Sequence, residues 1–423
     1  MGCLHPTFLS LHISLSSHKS LKMKYISVLF ALTLCAVSFA FTQNCNGRYL
    51  SEIFTTTTMQ TVTYSDTFGL DMNIYIPDGD TVQDRPLLIL CFGGSFVGGD
   101  KTNPSMIAVG ESYAKRGYVT ATIDYRLGDF AMFFDSLATM DVVVKAIGDG
   151  KAAVRYFRKS FVDSNNPYGI DTSDIFIGGN SAGAILSYHV GFLNNMSEVP
   201  FYMTSIINSN GGINGNSGND GYSSKVKAVT SWAGGIKNAP LMIDSNDVPV
   251  IMFHGDADNV VPYNFDKVYS NLGLPGLQLV TIFGSNASKP FLDAANVTND
   301  LITFPGDGHV PWDADAVKMD TLMTKTSRFF YPLLQCNNPI SNLEELYLSK
   351  IDIYPNPSNG LFTIKSAYAL EKVIVSNLLG EEIINEIVDD YKINLGLTNK
   401  AAGIYTVSVL ISNHWLTKKI VIE

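Results

Sequence analysis

A reactive serine is predicted at Ser181 by the residues on both sides of it. An apolar run that ends at Ile177 enters Gly179-Asn180-Ser181-Ala182-Gly183, and a helical pattern follows. A strand, a Gly-x-Ser-x-Gly turn and a helix form a nucleophile elbow, which exposes the serine hydroxyl at the carboxyl end of a sheet. Side chains two residues before and after the serine would collide in so tight a turn, so glycine is needed at both positions. This stretch therefore predicts covalent, nucleophilic catalysis.

Two later loops carry the residues that would activate such a serine. Asp258 follows the apolar run from Val248 to Phe253, and His309 follows the run from Leu301 to Phe304. The order serine, acid, histidine is the one that follows a nucleophile elbow in parallel sheets. We expect His309 to take the serine proton and return it to the leaving group, and Asp258 to orient the imidazole.

Neighbouring residues of these two loops offer alternatives. Asp256 could replace Asp258 as the acid, but its position nearer the strand end suits it to bond the backbone of the turn. His254 is expected to brace its loop. The set His254, Asp256, Asp258, Asp307 and His309 also resembles a metal site, but an intact nucleophile makes a metal unnecessary. We expect neither a metal nor a cofactor.

Backbone amides are the expected stabilisers of a developing oxyanion. One amide is that of Ala182, directly after the serine. The others are assigned to Gly94 and Ser95, in the glycine-rich loop that follows the strand ending at Cys91. A phosphate-binding role for this loop is disfavoured, because it lacks the Walker pattern and its Lys-Ser/Thr pair.

The elements that position these loops alternate between strands and helices. This alternation predicts an α/β fold with a mostly parallel sheet covered on both faces. A helical stretch is expected after Pro262, and residues 208–224 are expected to form a loop that borders the pocket. His189, two helical turns beyond the serine, is expected to be a core histidine. The predicted segments are strands at 70–76, 86–91, 118–124, 226–232, 248–253 and 301–304, and helices at 105–115, 143–161 and 317–330.

The pattern changes near residue 340, where a second domain is predicted. Only short β-type runs follow, so a small all-β sandwich is expected over residues 351–423, after a linker at 339–350. The catalytic domain is assigned to residues 41–338.

The amino terminus has the features of an export signal. Lys22 and Lys24 precede an apolar run, and Ser38-Phe39-Ala40 resembles a cleavage site. Residues 1–22 are interpreted as an overlong start and residues 23–40 as the signal peptide; the apolar run is short for a stable membrane span.

Three cysteines matter for the exported chain. In an oxidising compartment Cys45 and Cys336, at opposite ends of the catalytic domain, could form a disulfide. Cys91 ends an apolar run and is expected to be a small buried residue.

Composition limits the range of partners. Hydrophobic residues make up 46% and charged residues 16%, as in a folded globular protein, and the net charge of −10 argues against nucleic-acid binding. Oligomeric state is not indicated.

The catalytic segment resembles α/β-hydrolase esterases of the carboxylesterase and hormone-sensitive-lipase-like branch, over about residues 45–336. In that branch a His-Gly-Gly-x loop precedes the nucleophile strand, whereas this chain has Phe92 at the histidine position. Asp124 and Arg126 are expected to form a structural pair near the site. The matching residues are Arg85 to Lys101, Asp124-Tyr125-Arg126-Leu127, Gly178 to Ala184, His254 to Pro262 and Gly308-His309.

The C-terminal segment resembles the sorting domain of type IX secretion. The resemblance implies a Gram-negative bacterium, passage through the periplasm, interaction with the type IX machinery, and release or attachment at the cell surface. The matching residues are Tyr354-Pro355-Asn356-Pro357, Gly360, Asn377 to Gly380, Gly403-Ile404-Tyr405 and Lys418 to Ile422.

Together these features predict a secreted serine esterase that acts on small acyl groups of a polysaccharide or on short-chain lipids. Two alternatives remain open from the sequence. The same triad would serve a prolyl-oligopeptidase-like peptidase, although the large gating domain expected of one is missing from the sequence. A surface-binding protein on a disabled hydrolase scaffold is the non-enzymatic alternative.

Overall fold

The computed structural model describes residue 45 and residues 47–270, 276–337, 351–411 and 414–423. The predicted overlong start, signal peptide and linker lie outside the described residues.

An eight-stranded sheet forms the centre of the catalytic domain, in the order β1-β2-β4-β3-β5-β6-β8-β11. Strand β2 pairs antiparallel with both β1 and β4, and all the remaining pairs are parallel. The predicted α/β fold with a mostly parallel sheet is therefore confirmed. The strands are β1 Thr57–Ser65, β2 Leu70–Pro77, β3 Arg85–Cys91, β4 Val119–Ile123, β5 Ile170–Asn180, β6 Ala228–Trp232, β8 Val250–Gly255 and β11 Asn299–Phe304.

The central strands are buried because helices cover the sheet. All residues of β3 and β6 are buried, as is expected for parallel strands with both faces covered. The helices are α1 Pro104–Lys115, α2 Ser136–Asp163, α3 Ala182–Phe192, α4 Thr204–Ser209, α5 Ala239–Met242, α6 Ser285–Ala294 and α7 Ala316–Phe330. Short 3₁₀ turns occur at Phe130–Phe134, Met196–Glu198, Phe201–Met203, Gly212–Asn214, Pro311–Asp313, Tyr331–Leu333 and Gln335–Asn337.

Side-chain caps explain where several helices begin. The carboxylate of Asp135 accepts the amide of Leu137 at the start of α2. Asp315 does the same for two amides at the start of α7, and Asn103 caps α1 in front of a proline. Such caps satisfy amides that have no partner within the helix.

The helical stretch expected after Pro262 is present, but it begins only at Ser285. A small antiparallel sheet takes this region, in the order β7-β10-β9. Phe265 and Phe283 lie opposite each other on two of its strands, with ring centroids 4.4 Å apart. This cross-strand aromatic pair favours strands over a helix. The strands are β7 Gly235–Ile236, β9 Phe265–Lys267 and β10 Thr281–Gly284, and α6 follows β10.

Residues 208–224 are largely irregular, as expected, but they pack against α2. Arg155 on this helix donates hydrogen bonds to the carbonyl oxygens of Asn214 and Gly218, at 2.8–3.0 Å. Lys151 donates to the carbonyl oxygen of Ile213 at 2.8 Å. The loop therefore packs on α2 around these two buried side chains. The expectation that it borders the pocket is wrong, because none of its residues lines the cavity beside Ser181.

The predicted disulfide between Cys45 and Cys336 is present. It joins residues 291 positions apart in the sequence. Cys91 is free and buried, as expected, and burial raises the pKa of its thiol to about 12, so it remains protonated at neutral pH.

The C-terminal segment has its own hydrophobic core beneath five antiparallel strands, which confirms the small all-β domain. The sixteen-residue β13 pairs with β12 along its first part and with β15 along its last. The sequence pattern marks β-type runs at 361–364, 372–376, 404–410 and 419–422, so it does not predict the strands at Ile351–Tyr354 and Glu382–Gly396. The strands are β12 Ile351–Tyr354, β13 Leu361–Ser376, β14 Glu382–Gly396, β15 Gly403–Ile411 and β16 His414–Ile422.

Candidate active site

Ser181 occupies a sharp turn between β5 and α3. Its backbone has φ 57° and ψ −116°, in a region that residues with a side chain rarely adopt. Its amide donates to the carbonyl oxygen of Trp232 at 2.8 Å, which ties the turn to the next strand. The local strain is thus supported by the sheet, as is common where a reactive side chain must be exposed.

Glycine is required on both sides of this turn. A Cβ atom on Gly179 would lie 2.6 Å from the carbonyl carbon of Gly183. A Cβ on Gly183 would lie 2.1 Å from the carbonyl oxygen of Cys91. These distances confirm the steric argument made from the sequence, and they show that β3 also crowds the turn.

The three residues predicted to act together are in contact. His309 Nε2 lies 2.8 Å from Ser181 Oγ, and His309 Nδ1 lies 2.6 Å from Asp258 Oδ2. With the ring proton on Nδ1, the imidazole donates to the carboxylate and accepts from the serine hydroxyl. The parallel pairing of β8 with β11 brings the loops of Asp258 and His309 to one edge of the sheet.

The Asp258 carboxylate is buried and hydrogen-bonded on both oxygens. Its Oδ1 accepts the amides of Val260 and Val261 at 2.7 and 3.0 Å. Burial alone would raise the pKa of Asp258, but hydrogen bonds from His254, His309 and the Val260 amide outweigh it and hold the pKa well below its usual value. Asp258 is therefore an anion over the whole working pH range.

His254 braces the Asp258 loop, as the sequence predicted. Its Nε2 lies 3.1 Å from the Val261 carbonyl oxygen and 3.3 Å from Asp258 Oδ2. Its Nδ1 contacts the hydroxyl of Ser285 at 2.8 Å. The ring is completely buried, so it connects the acid to α6 rather than to a substrate.

The alternative acid, Asp256, bonds a neighbouring turn instead. Its Oδ1 accepts the amide of Gly306 at 2.6 Å, in the loop that carries His309. Asp307 forms an ion pair with Lys318 at 2.6 Å. The five residues considered as a metal set therefore do not share one centre: Asp258 contacts both histidines, while the other two carboxylates have partners elsewhere.

The glycine-rich loop with Gly94 and Ser95 lies against the nucleophile. A Cβ on Gly93 would be 3.1 Å from Ser181 Cβ. The carbonyl oxygen of Gly94 accepts the amides of Val97 and Gly98 in a tight turn. Within the hydrogen-bond network of the described residues, the amides of Gly94 and Ser95 donate to no protein acceptor. As the first residue of α3, Ala182 also has an amide without an intrahelical partner.

Phe92 supports this loop at the position where the resembling esterases have a histidine. Its ring stacks on Tyr125 with centroids 4.2 Å apart, and the Tyr125 hydroxyl donates to the Phe92 carbonyl oxygen at 2.7 Å. Gly99 packs against the same ring; a Cβ there would be 2.7 Å from Phe92 Cδ2. An aromatic stack thus braces the loop.

The expected pair of Asp124 with Arg126 is wrong. Asp124 binds the ammonium of Lys101 at 2.7 Å. Arg126 binds the buried carboxylate of Asp149 at 2.9 Å. The two residues are close in the sequence, but each side chain reaches a partner in a different part of the chain.

Sequence reasoning missed an apolar cavity that opens beside Ser181. Its volume is about 90 Å³. Side chains of α2 and α3 form much of its wall, together with residues near Val199 and Val260. Ser95 and Ala182 also line it, whereas His309 does not. Val143 and Ile147 were recognisable as apolar, but their position in a cavity rather than a closed core had no sequence signal.

Two family models match the chain. Residues 72–239 match BD-FAE, an esterase family with the α/β-hydrolase fold. Residues 352–423 match the "Secretion system C-terminal sorting domain".

Solved structures similar to this chain include esterase 2 of Thermogutta terrifontis. The form "phosphoramylated by tabun" has 19% identity and a TM-score of 0.48, covering 65% of this chain and 94% of that one. The "Est2-butyrate bound" form has 19% identity and a TM-score of 0.45, with the same coverage of 65% and 94%. A search of curated proteins finds no match.

Residues 72–239, which include Ser181 and the glycine-rich loop, are thus similar to an esterase family with the α/β-hydrolase fold. Residues 352–423 are similar to a type IX sorting domain. This sorting domain indicates type IX secretion, and hence an extracellular or cell-surface protein. Among the described residues, no helix has the length and apolar character needed to cross a membrane.

Proposed function

We propose that this protein is a serine esterase that hydrolyses carboxylic esters through an acyl-enzyme, with Ser181 as nucleophile, His309 as base and Asp258 as the orienting acid. One observation carries the proposal: the unbroken series of contacts from Asp258 to His309 at 2.6 Å and from His309 to Ser181 at 2.8 Å.

Acylation begins when Ser181 Oγ attacks the ester carbonyl carbon and its proton passes to His309 Nε2. The tetrahedral intermediate then collapses, the bond to the alcohol oxygen breaks, and the imidazolium gives its proton to that oxygen. Asp258 stabilises the imidazolium, because its carboxylate stays ionised and bonded to Nδ1.

Deacylation repeats these steps with water. His309 takes a proton from the water that attacks the acyl carbon, and then returns it to Ser181 Oγ as the acid leaves. In both steps the negative charge on the carbonyl oxygen is stabilised by amides, which we assign to Gly94, Ser95 and Ala182.

The sorting domain supports a place of action outside the cell. We propose that the chain passes through the periplasm of a Gram-negative bacterium and reaches the surface through the type IX machinery, with residues 41–338 as catalytic domain and residues 351–423 as sorting domain. Acylated carbohydrates and lipid esters are substrates that a surface enzyme meets.

Labelling with a fluorophosphonate tests the nucleophile. We expect the wild-type protein to be labelled on the peptide that contains Ser181, and the Ser181→Ala variant to be unlabelled and inactive on p-nitrophenyl acetate. Ser187→Ala is the matched control: Ser187 is buried on the same helix, and its hydroxyl bonds the Gly183 carbonyl oxygen at 2.7 Å. Equal ester hydrolysis by wild type and Ser181→Ala would refute the proposal.

A further inference from the structure

Ser95 has a backbone conformation that the surrounding structure must hold in place. Its φ is 58°, and the next residue, Phe96, has a φ of 61°. Both values lie in the left-handed region, which is disfavoured for residues with a side chain because the Cβ atom crowds the backbone. The amide of Ser95 is assigned to the oxyanion, so contacts from other parts of the molecule have to keep this residue in its position.

Ser95 and Phe96 are held in different ways. The carbonyl oxygen of Phe96 accepts the amide of Gly128 at 2.8 Å, and the Phe96 ring packs against Tyr125 with centroids 5.9 Å apart. Ser95 is held through its side chain, because its Oγ forms a hydrogen bond with the hydroxyl of Tyr269. Within the hydrogen-bond network of the residues that the structure describes, this is the bond that Ser95 makes, and it makes no other.

Tyr269 is itself tied to the loop of the triad acid. Its amide donates to the carbonyl oxygen of Val260 at 2.8 Å, and the amide of Val260 donates to Asp258 Oδ1 at 2.7 Å. The Tyr269 ring packs edge-on against Phe133, with centroids 5.9 Å apart. The bond between Tyr269 and Ser95 therefore joins the loop of the acid to the loop of the oxyanion amides.

The position of this bond gives it a consequence for the reaction. Ser95, Tyr269 and Ser181 line the same cavity, so the two hydroxyls meet beside the nucleophile. The carbonyl oxygen of a bound ester carries little charge, whereas the same oxygen in the tetrahedral intermediate carries a full negative charge. A displaced amide therefore weakens the transition state more than it weakens the bound ester.

We propose that Tyr269 is a positioning residue of this esterase: through the hydrogen bond between its hydroxyl and Ser95 Oγ, it holds the Ser95 amide in the place where the oxyanion forms. Tyr269 acts on the reaction through Ser95 and takes no part in proton transfer. The inference rests on the proposed esterase function, in which the Ser95 amide stabilises the oxyanion, and it adds a residue to that site.

Tyr269→Phe removes the hydroxyl and keeps the ring that packs against Phe133. We expect kcat and kcat/KM for p-nitrophenyl acetate to fall equally, by about 10-fold, because the amide is displaced but not removed; loss of an entire oxyanion donor costs roughly 10²- to 10³-fold. Equal falls are the mark of an interaction made only in the transition state. A wild-type kcat in this variant, or a rise of KM at constant kcat, would overturn the inference.

Ser95→Ala removes the other partner of the same bond and keeps the backbone amide. We expect a similar fall in kcat, and the double variant Ser95→Ala, Tyr269→Phe should lose about 10-fold in total, because a single hydrogen bond can be lost only once. A fall of about 100-fold in the double variant, the product of two independent effects, would show that the two hydroxyls act separately and would contradict the proposed role of Tyr269.

Tyr156→Phe is the matched control, since it also breaks a bond between two hydroxyls. Tyr156 lies on α2, contacts the hydroxyl of Tyr168 at 2.8 Å and does not line the cavity. Its kcat should stay within about twofold of wild type, because this bond is independent of the oxyanion loop. An equal fall of kcat in Tyr156→Phe and Tyr269→Phe would attribute the loss to general destabilisation and overturn the inference.

Failure of the esterase function itself gives a different result. In that case Ser181→Ala would hydrolyse p-nitrophenyl acetate as fast as wild type does. If hydrolysis depends on Ser181 but Tyr269→Phe keeps the wild-type kcat, the esterase function stands and only the role of Tyr269 is refuted.

Discussion

The polar edge of the active site and the apolar cavity behind it are built in opposite ways. At the edge, contacts of 2.6–2.8 Å join Ser181, His309 and Asp258. Each of these residues lies in a separate turn or loop that follows a strand. In the cavity no single contact dominates, and the wall is shared by side chains from several separate segments.

This difference teaches what a substitution can do on each side. At the polar edge each of the three side chains carries a proton or a charge, so a substitution that removes this group should remove a step of the reaction. In the cavity each side chain supplies only part of the buried surface, so its loss should change which substrate is preferred.

Asp258→Asn is expected to give the largest effect at the polar edge. The amide keeps the size of the side chain but favours the wrong tautomer of His309 and removes the charge beside the imidazolium. We expect kcat for p-nitrophenyl acetate to fall by about 10³- to 10⁴-fold, as in other enzymes with this arrangement.

Asp256→Asn is the matched control in the same loop. Its side-chain oxygen can still accept the Gly306 amide, so kcat should stay within about 10-fold of wild type. If both variants lost the same activity, the polar edge would depend on the loop as a whole and not on one carboxylate.

Sequence patterns predicted the polar edge because its geometry follows from local rules. A tight turn requires Gly179 and Gly183, and parallel strands bring the loops of Asp258 and His309 to the same edge. The position of Cys45 and Cys336 at the ends of one domain made a disulfide possible, and the structure contains it.

The cavity could not be predicted in the same way. Apolar residues of α2 and α3 have the same helical spacing whether they close a core or line a cavity, so the pattern cannot distinguish the two. The short strands β9 and β10 after Pro262 were not predicted, because β10 pairs with β9 and with β7, which lies before Pro262 in the chain. The partners of Asp124 and Arg126 likewise depend on tertiary packing.

The loop of Gly94 and Ser95 lies where the polar edge meets the apolar interior. Phe92→Ala removes the stack on Tyr125 that supports it. We expect a loss of about 3–5 kcal/mol in the free energy of unfolding. Since displaced amides stabilise the oxyanion less well, kcat should also fall by roughly 10- to 100-fold. Urea unfolding and ester hydrolysis at 25 °C measure both.

Phe330→Ala separates stability from catalysis. Phe330 stacks on Phe176 with centroids 4.3 Å apart, a pair like that of Phe92 and Tyr125 but away from the loop. Its loss should reduce stability to a similar extent and leave kcat near wild type. An equal fall of kcat in both variants would mean that the loss of activity results from general destabilisation and not from displacement of the loop.

His189 is a buried titratable side chain in the wall of the apolar cavity. Its substitution gives the smallest expected effect, a change in how the free energy of unfolding depends on pH. Burial, with smaller contributions from the charges of Lys237 and Lys151, lowers the pKa of His189 to about 4. Between this value and the ordinary pKa of about 6.5, the unfolded chain binds more protons than the folded one, so stability falls as the pH falls. Asp247 acts in the opposite direction over much of this range, because burial raises its pKa to about 7.

Comparison with His189→Gln isolates the histidine from Asp247. From pH 7 to pH 5, the wild-type protein should lose about 2 kcal/mol more unfolding free energy than the variant does, as measured by urea unfolding at each pH. Parallel pH dependences would show that His189 is protonated within the fold, and the wall of the cavity would then carry a charge. The cavity would no longer be an apolar counterpart to the polar edge.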